Sequence, residues 1–216
     1  MAKIPAGILG AFLGKAGPVS GHMWNGQNII RTSSRRKDNN RTSKRKAQQQ
    51  KIKICNDFTT AFTGTGFFNK SFPAYGNPGS GYNRATGALM NQAIAGTDPD
   101  IRISYPHVLI SRGPLPAAEN ASAALNADGN LFFTWTDNND MGTAKKNDTV
   151  ILVAFFPALR QIIYSLDAAT RKDCQALLIT NIMAGYAAET WMGFLSNDEK
   201  NAANSVYTGR FDAPVP

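Results

Sequence analysis

Little in this sequence could carry out catalysis. In 216 residues there are two histidines, His22 and His107, and two cysteines, Cys55 and Cys174. Acyl transfer needs a nucleophile held by a base, and zinc hydrolysis needs ligands at short fixed spacings. No Gly-x-Ser-x-Gly elbow and no zinc-protease motif occurs. His107 follows Ser104-Tyr105-Pro106 in an alternating apolar stretch and reads as a packed or half-exposed strand residue. Glutamate occurs only at positions 119, 189 and 199, so paired carboxylates for acid–base work are scarce. Cys55, in an expected helix, and Cys174, in an expected strand, read as buried thiols, and no disulfide framework is supported. The run Asp137-Asn138-Asn139-Asp140-Met141-Gly142, with Asp148 eleven residues after Asp137, is superficially like a calcium loop. Met141 occupies a ligand position and Asp148 replaces the bidentate glutamate, so it is expected to be a solvated connection between strands. On these residues no catalytic group, metal site, cofactor or small-molecule substrate is expected, and the protein reads as not an enzyme.

What stands out chemically is charge. Ten of the 23 Lys and Arg lie between Arg31 and Lys53 against one acid, Asp38. That segment carries net +9 while the whole chain carries +8, so the basicity is local. Arg31, Arg35, Arg36, Lys37, Arg41, Lys44, Arg45 and Lys46 are the candidate contacts for nucleic acid or another anion, each neutralised phosphate adding to a salt-dependent affinity. Trp24 could stack on a base, or cover the face of a hairpin. An acidic protein surface and plain solvation are the competing readings. No recognition-helix or RNP-type pattern is present, so nothing in the segment reads nucleotide sequence.

The elements that would position these residues follow from periodicity. Val19–Trp24 and Gln27–Thr32 flank Asn25-Gly26, the strongest short-range hairpin signal, since a type I′ turn needs positive φ at both central positions. Alternation sets Ile29 and Arg31 on one face and Asn28, Ile30 and Thr32 on the other. An isolated hairpin is marginal in water, so Met23, Trp24 and the Ile pair must pack on something. Residues 1–18 carry Ile4, Ile8, Leu9, Phe12 and Leu13 among glycines at 7, 10, 14 and 17, which disfavours a helix and suggests an extended arm lying on another surface. From Thr42 to about Thr63, Ala47, Ile52, Cys55, Phe58, Thr59 and Phe62 recur at helical spacing. Gly64 and Gly66 end that helix. A loop follows over 66–81, then a short helix over 82–95. Seven strands are expected next, at 101–111, 131–136, 149–156, 161–165, 174–180, 188–196 and 203–211. Short strands with turn signals between them are the pattern of an antiparallel β-sandwich of immunoglobulin-like type, although the Cys-Trp-Cys hallmark is missing. The fold expected is therefore mainly β, with an N-terminal part (1–100) of arm, hairpin, basic segment and two helices, and a C-terminal sandwich (101–216).

Two stretches then resemble a family. Gly7-Ile8, Gly14-Lys15, Gly17-Pro18-Val19, Gly21, Trp24-Asn25-Gly26, Ile30-Arg31 and Gln48-Gln49-Gln50-Lys51 form one set. Ser111-Arg112-Gly113, Phe133-Thr134-Trp135-Thr136-Asp137-Asn138, Gly193-Phe194-Leu195-Ser196 and Asn204-Ser205-Val206-Tyr207-Thr208-Gly209 form the other. Together they resemble an uncharacterised family of Bacteroidota proteins carrying a numbered domain of unknown function, end to end. The segment after Arg31, typically proline-containing in that family, is Ser- and Arg-rich here. The resemblance implies a fold and no activity.

Two functions are expected from different classes. One is a structural or assembly protein, such as a subunit of a virion or other large particle, in which Ile8, Phe12, Trp24 and Ile30 contact further copies or another structural protein. The other is a non-specific nucleic-acid-binding protein using residues 31–53. The apolar run after Lys3 is short, broken by glycine and ended by Lys15, so no standard export signal is expected; nor is any stretch near the 18 or so apolar residues of a spanning helix. A cytoplasmic or particle-associated location is the corresponding expectation.

Overall fold

The computed structural model describes residues 3–4, 10–24, 26–32, 42–76, 79–180 and 185–212. The chain divides into two compact units, 1–42 and 43–216, whereas the sequence reading divides it at residue 100.

The first unit is a three-stranded antiparallel sheet in chain order: β1 (Gly14–Ala16), β2 (Val19–Trp24) and β3 (Gln27–Thr32). The hairpin has the expected register, with Trp24 opposite Gln27. β1 was not legible as a strand. It pairs with β2 through Ala16 opposite Val19, which leaves Gly17-Pro18 as a two-residue turn. Gly17 has φ +58, and a type II′ hairpin puts glycine at this first central position because that dihedral costs it nothing.

The second unit begins with three helices, α1 (Ser43–Thr60), α2 (Phe67–Ser71) and α3 (Gly81–Gln92). α1 and α3 match the periodicity; α2 lies in the stretch expected to be a loop. Two short strands, β4 (Ile94–Ala95) and β5 (Arg102–Ile103), then pair. The expected strand 101–111 is otherwise absent: residues 105–107 form a 3-10 turn, in keeping with Pro106 at its start. The first strand of the sandwich comes later, as β6 (Glu119–Leu125), followed by β7 (Leu131–Thr136), β8 (Thr149–Phe156), β9 (Gln161–Ser165), β10 (Gln175–Leu178), β11 (Ala188–Leu195) and β12 (Val206–Phe211).

These seven strands form two antiparallel sheets, β10-β7-β6 and β12-β11-β8-β9. Lettered A to G in chain order, B and E are flanked by A in one sheet, while G, F and C carry the fourth strand in the other. That is the immunoglobulin-like sandwich with its fourth strand moved across to the C-F-G sheet. Leu131, Phe133 and Trp135 face Leu152, Ala154, Phe194 and Met192 between the sheets. The opposite face of β8 and β11 is covered as well, because Ile151, Val153, Phe155 and Trp191 share a second cluster with Phe58, Phe62, Phe67 and Leu89 of the helical segment. Phe58 stacks edge-on against Phe155 at 4.8 Å and against Trp191 at 6.2 Å. Hence β8 and β11, buried along nearly their whole lengths, read as continuous apolar runs rather than alternating ones. The unit is three layers, sheet on sheet on helices, and its helices belong to the core of the sandwich.

Candidate assembly and anion-binding surfaces

The N-terminal sheet is organised by turns and backbone pairing. Lys3 and Leu13 exchange two backbone hydrogen bonds of 2.7 Å, tying the start of the chain beside β1. Register puts Val19, Gly21, Met23, Asn28 and Ile30 on one face, and Ser20, His22, Trp24, Gln27, Ile29 and Arg31 on the other. Phe12 lies on the first face against Gly21, where any side chain would collide with the Phe12 carbonyl and ring. Met23 is 55% exposed, Trp24 60% and Ile30 65%, so large apolar side chains stand in the open on both faces. Of the residues expected to make assembly contacts, Phe12 is half-buried, Trp24 and Ile30 are exposed, and Ile8 lies outside the described residues. Asn25 lies outside them too, while Gly26 has the positive φ, +75, that the turn requires.

The candidate anion contacts divide between the units. Arg31 is exposed on β3, on the same face as Trp24. Lys44, Arg45 and Lys46 are exposed in the first turn of α1, where there is no acidic residue. Arg35, Arg36, Lys37 and Arg41 lie outside the described residues. A helix N-terminus carries about half a positive charge, so cations there are unfavourable by roughly 0.3–1 kcal/mol each at low salt. The three basic residues therefore weaken α1 rather than support it, and their positive potential adds to that of the helix dipole.

The residues weighed for catalysis fall elsewhere. Ser104 Oγ lies 2.8 Å from His107 Nδ1, a local bond across the 3-10 turn, with His107 exposed there and not in a strand. No third group orients the imidazole among the described residues. His22 is half-buried on β2. Cys55 is fully buried, and burial raises its thiol pKa above the ordinary 9.0. Cys174, expected to be buried in a strand, is instead half-exposed with φ +59 just before β10. Among the described residues no group of three or more His, Cys, Asp or Glu could hold a metal ion, and no helix is long and apolar enough to cross a membrane.

The most heavily engaged charge among the described residues is Arg171, which no sequence pattern singled out. It is fully buried, 3.8 Å above the Phe194 ring, with Nε donating to Asp148 Oδ2 at 3.2 Å. Its other nitrogens donate to Asn138 Oδ1 and to the Pro116 carbonyl. Its own carbonyl accepts from Trp135 Nε1 at 2.7 Å. Burial lowers the guanidinium pKa below its usual value, and the Asp148 carboxylate opposes that shift. The calcium-like loop is therefore not simply solvated. Its ends, Asn138 and Asp148, are buried and clamp Arg171, which ties the 116, 138 and 148 segments together. No sequence signal marks this post, because Thr170-Arg171-Lys172-Asp173 looks like any polar turn.

The model of a family of unknown function (DUF6266) matches residues 11–209. The chain belongs to that family. No curated protein matches it. The DUF6266 match takes in the N-terminal sheet from Ala11 onward, the helices and nearly all of the sandwich, so the exposed sheet falls within the family region.

Proposed function

We propose that this DUF6266 protein is a non-enzymatic structural protein whose N-terminal sheet docks on further copies of the chain, or on another structural protein, to build a large particle such as a virion. The exposure of Met23, Trp24 and Ile30 across both faces of β2 and β3 carries this reading. Each such side chain gains about 1.5–3 kcal/mol on full burial, and a single-layer sheet has no second layer of its own to supply it. Light-scattering mass of the nuclease-treated protein at low and high salt tests the proposal. A multimer that persists at high salt, and becomes a monomer when Met23, Trp24 and Ile30 are all changed to Ser, is the expected result. A monomer of the unaltered chain at both salts would refute it.

The second reading is non-specific nucleic-acid binding. It is favoured by one observation: Lys44, Arg45 and Lys46 crowd the positive end of α1 at a cost to the helix. Its signature is the opposite salt response, because phosphate contacts weaken steeply as salt rises while apolar association does not. Changing Lys44 and Lys46 to Gln should reduce both the affinity for a labelled oligonucleotide and its salt slope.

A further inference from the structure

On the second unit, a cleft of ≈ 690 Å³ lies between α3, the segment around Tyr75 and the turn at Arg112-Gly113. That volume is typical of a small-molecule site. Its walls include two arginines and no acidic residue among the described residues. Arg84 is fixed, with Nε and Nη2 donating to the Phe72 carbonyl and Nη1 to the Gly79 carbonyl. Arg112 is exposed and has no side-chain hydrogen bond or ion pair among the described residues. Neither arginine has a carboxylate partner there. The neighbouring polar groups are left as donors. Asn204 Oδ1 accepts from Gly113 N at 3.3 Å, which frees its amide nitrogen. Tyr75 Oη accepts from Ala202 N at 3.1 Å, which frees its O–H, and burial raises that phenol's pKa so that it keeps its proton. Pro73 is half-exposed on the apolar side of the lining, beside the nearly buried Phe72 and Ala88.

Gly87 adds an independent observation. It sits in the middle of α3, on the lining of this cleft, where glycine costs about 1 kcal/mol relative to alanine. Its backbone does not require glycine, and a Cβ there would meet nothing within 4 Å. Neither dihedral strain nor close packing explains it; what its missing side chain does is leave the cleft wall open.

We propose that this cleft binds a small organic anion, its carboxylate or phosphate head held by Arg112 with Asn204 and Tyr75, and its apolar body lying along Pro73 over Gly87. The site uses Arg112, Gly113 and Asn204, sequence features that the assembly reading leaves without a role. Calorimetric titration of the full chain with phenylacetate, phenyl phosphate and inorganic phosphate tests it. One or both organic anions should bind, more tightly than inorganic phosphate; which of them binds identifies the head group. Arg112→Ala should weaken that binding by roughly tenfold or more, as expected for losing hydrogen bonds to a charged group. Gly87→Leu should also weaken it while the melting temperature stays level or rises, since leucine is the better helix former and the space is open. Three results would overturn the proposal: no organic anion binding at millimolar concentration, inorganic phosphate binding as tightly as either organic anion, or unchanged binding in either variant.

Discussion

Trp24 and Trp191 are the same residue in opposite circumstances. Both sit in antiparallel strands with apolar neighbours, yet one is 60% exposed and the other fully buried. Met23 against Met192, and Ile30 against Ile151, repeat the contrast. The difference lies in layers. β11 is a central strand with a sheet on one side and helices on the other, so every side chain it carries finds a cover. β2 is also central in its sheet, but that sheet is one layer thick and, among the described residues, Phe12 folds back over it at Gly21. An apolar strand is thus evidence for burial only when the chain supplies a second surface. The N-terminal sheet leaves Met23, Trp24 and Ile30 in the open, as the second unit leaves Met141, Leu177 and Ile179.

The contrast can be broken most directly by truncation. Trp191→Ala should cost about 3–5 kcal/mol of stability, because it opens a large cavity between two layers. In the dissociated monomer, Trp24→Ala should change stability by less than about 0.5 kcal/mol. Similar costs at the two sites would show that Trp24 is not on a free surface in solution. Arg171 sharpens the same comparison from the polar side. Arg171→Ala leaves the Asp148 carboxylate buried and unpaired and should cost about 3–5 kcal/mol, while replacing Arg171 by Met and Asp148 by Leu together should recover most of that. Urea denaturation of the single and double variants measures both; a double variant no better than the single would mean that Asn138 and Pro116 matter more than the ion pair. By contrast, Lys70–Glu199 is an exposed pair, and Glu199→Gln should shift stability by about 1 kcal/mol at most.

The smallest effect concerns pH. Thr170 donates through its hydroxyl and its backbone N–H to Asp173, and these bonds lower the carboxyl pKa below its ordinary 3.8. With the folded pKa below the unfolded one, this group's stabilisation is present above about pH 4 and is lost as pH falls below that through the folded value. Asp198 is lowered in the same direction by Ser196 and the Lys200 backbone N–H. The melting temperature should therefore drop on acidification below pH 4, and Asp173→Asn should make that limb shallower.

Where local chemistry carried the signal, the sequence was enough. Asn25-Gly26 announced the hairpin and its register, helical spacing from Ala47 to Phe62 announced α1, and β7, β8 and β9 fall where the apolar runs end in turn residues. β6 escaped notice because Glu-Asn-Ala-Ser-Ala-Ala-Leu is built from small, weak strand formers, and a register irregularity at Asn120, with φ +49, interrupts its alternation. Residues 101–111 misled for the converse reason: Ile101, Val108 and Ile110 are buried as a strand's would be, but along an irregular segment around Pro106. Among candidate site residues, Trp24, Ile30 and the basic start of α1 were readable as composition. Arg112, Asn204, Gly87 and Arg171 acquired meaning only from their neighbours.

The sequence by itself determined the turns, the periods and the local concentration of charge, since glycine dihedrals, side-chain alternation and residue types act within a few positions. Tertiary structure decided which apolar faces are covered, that the helices belong to the sandwich core, and which arginine is buried on Asp148 while another, beside a cleft, has no side-chain partner among the described residues. Those outcomes depend on residues brought together from far along the chain, as Pro116, Asn138 and Asp148 are around Arg171, and no local pattern encodes them.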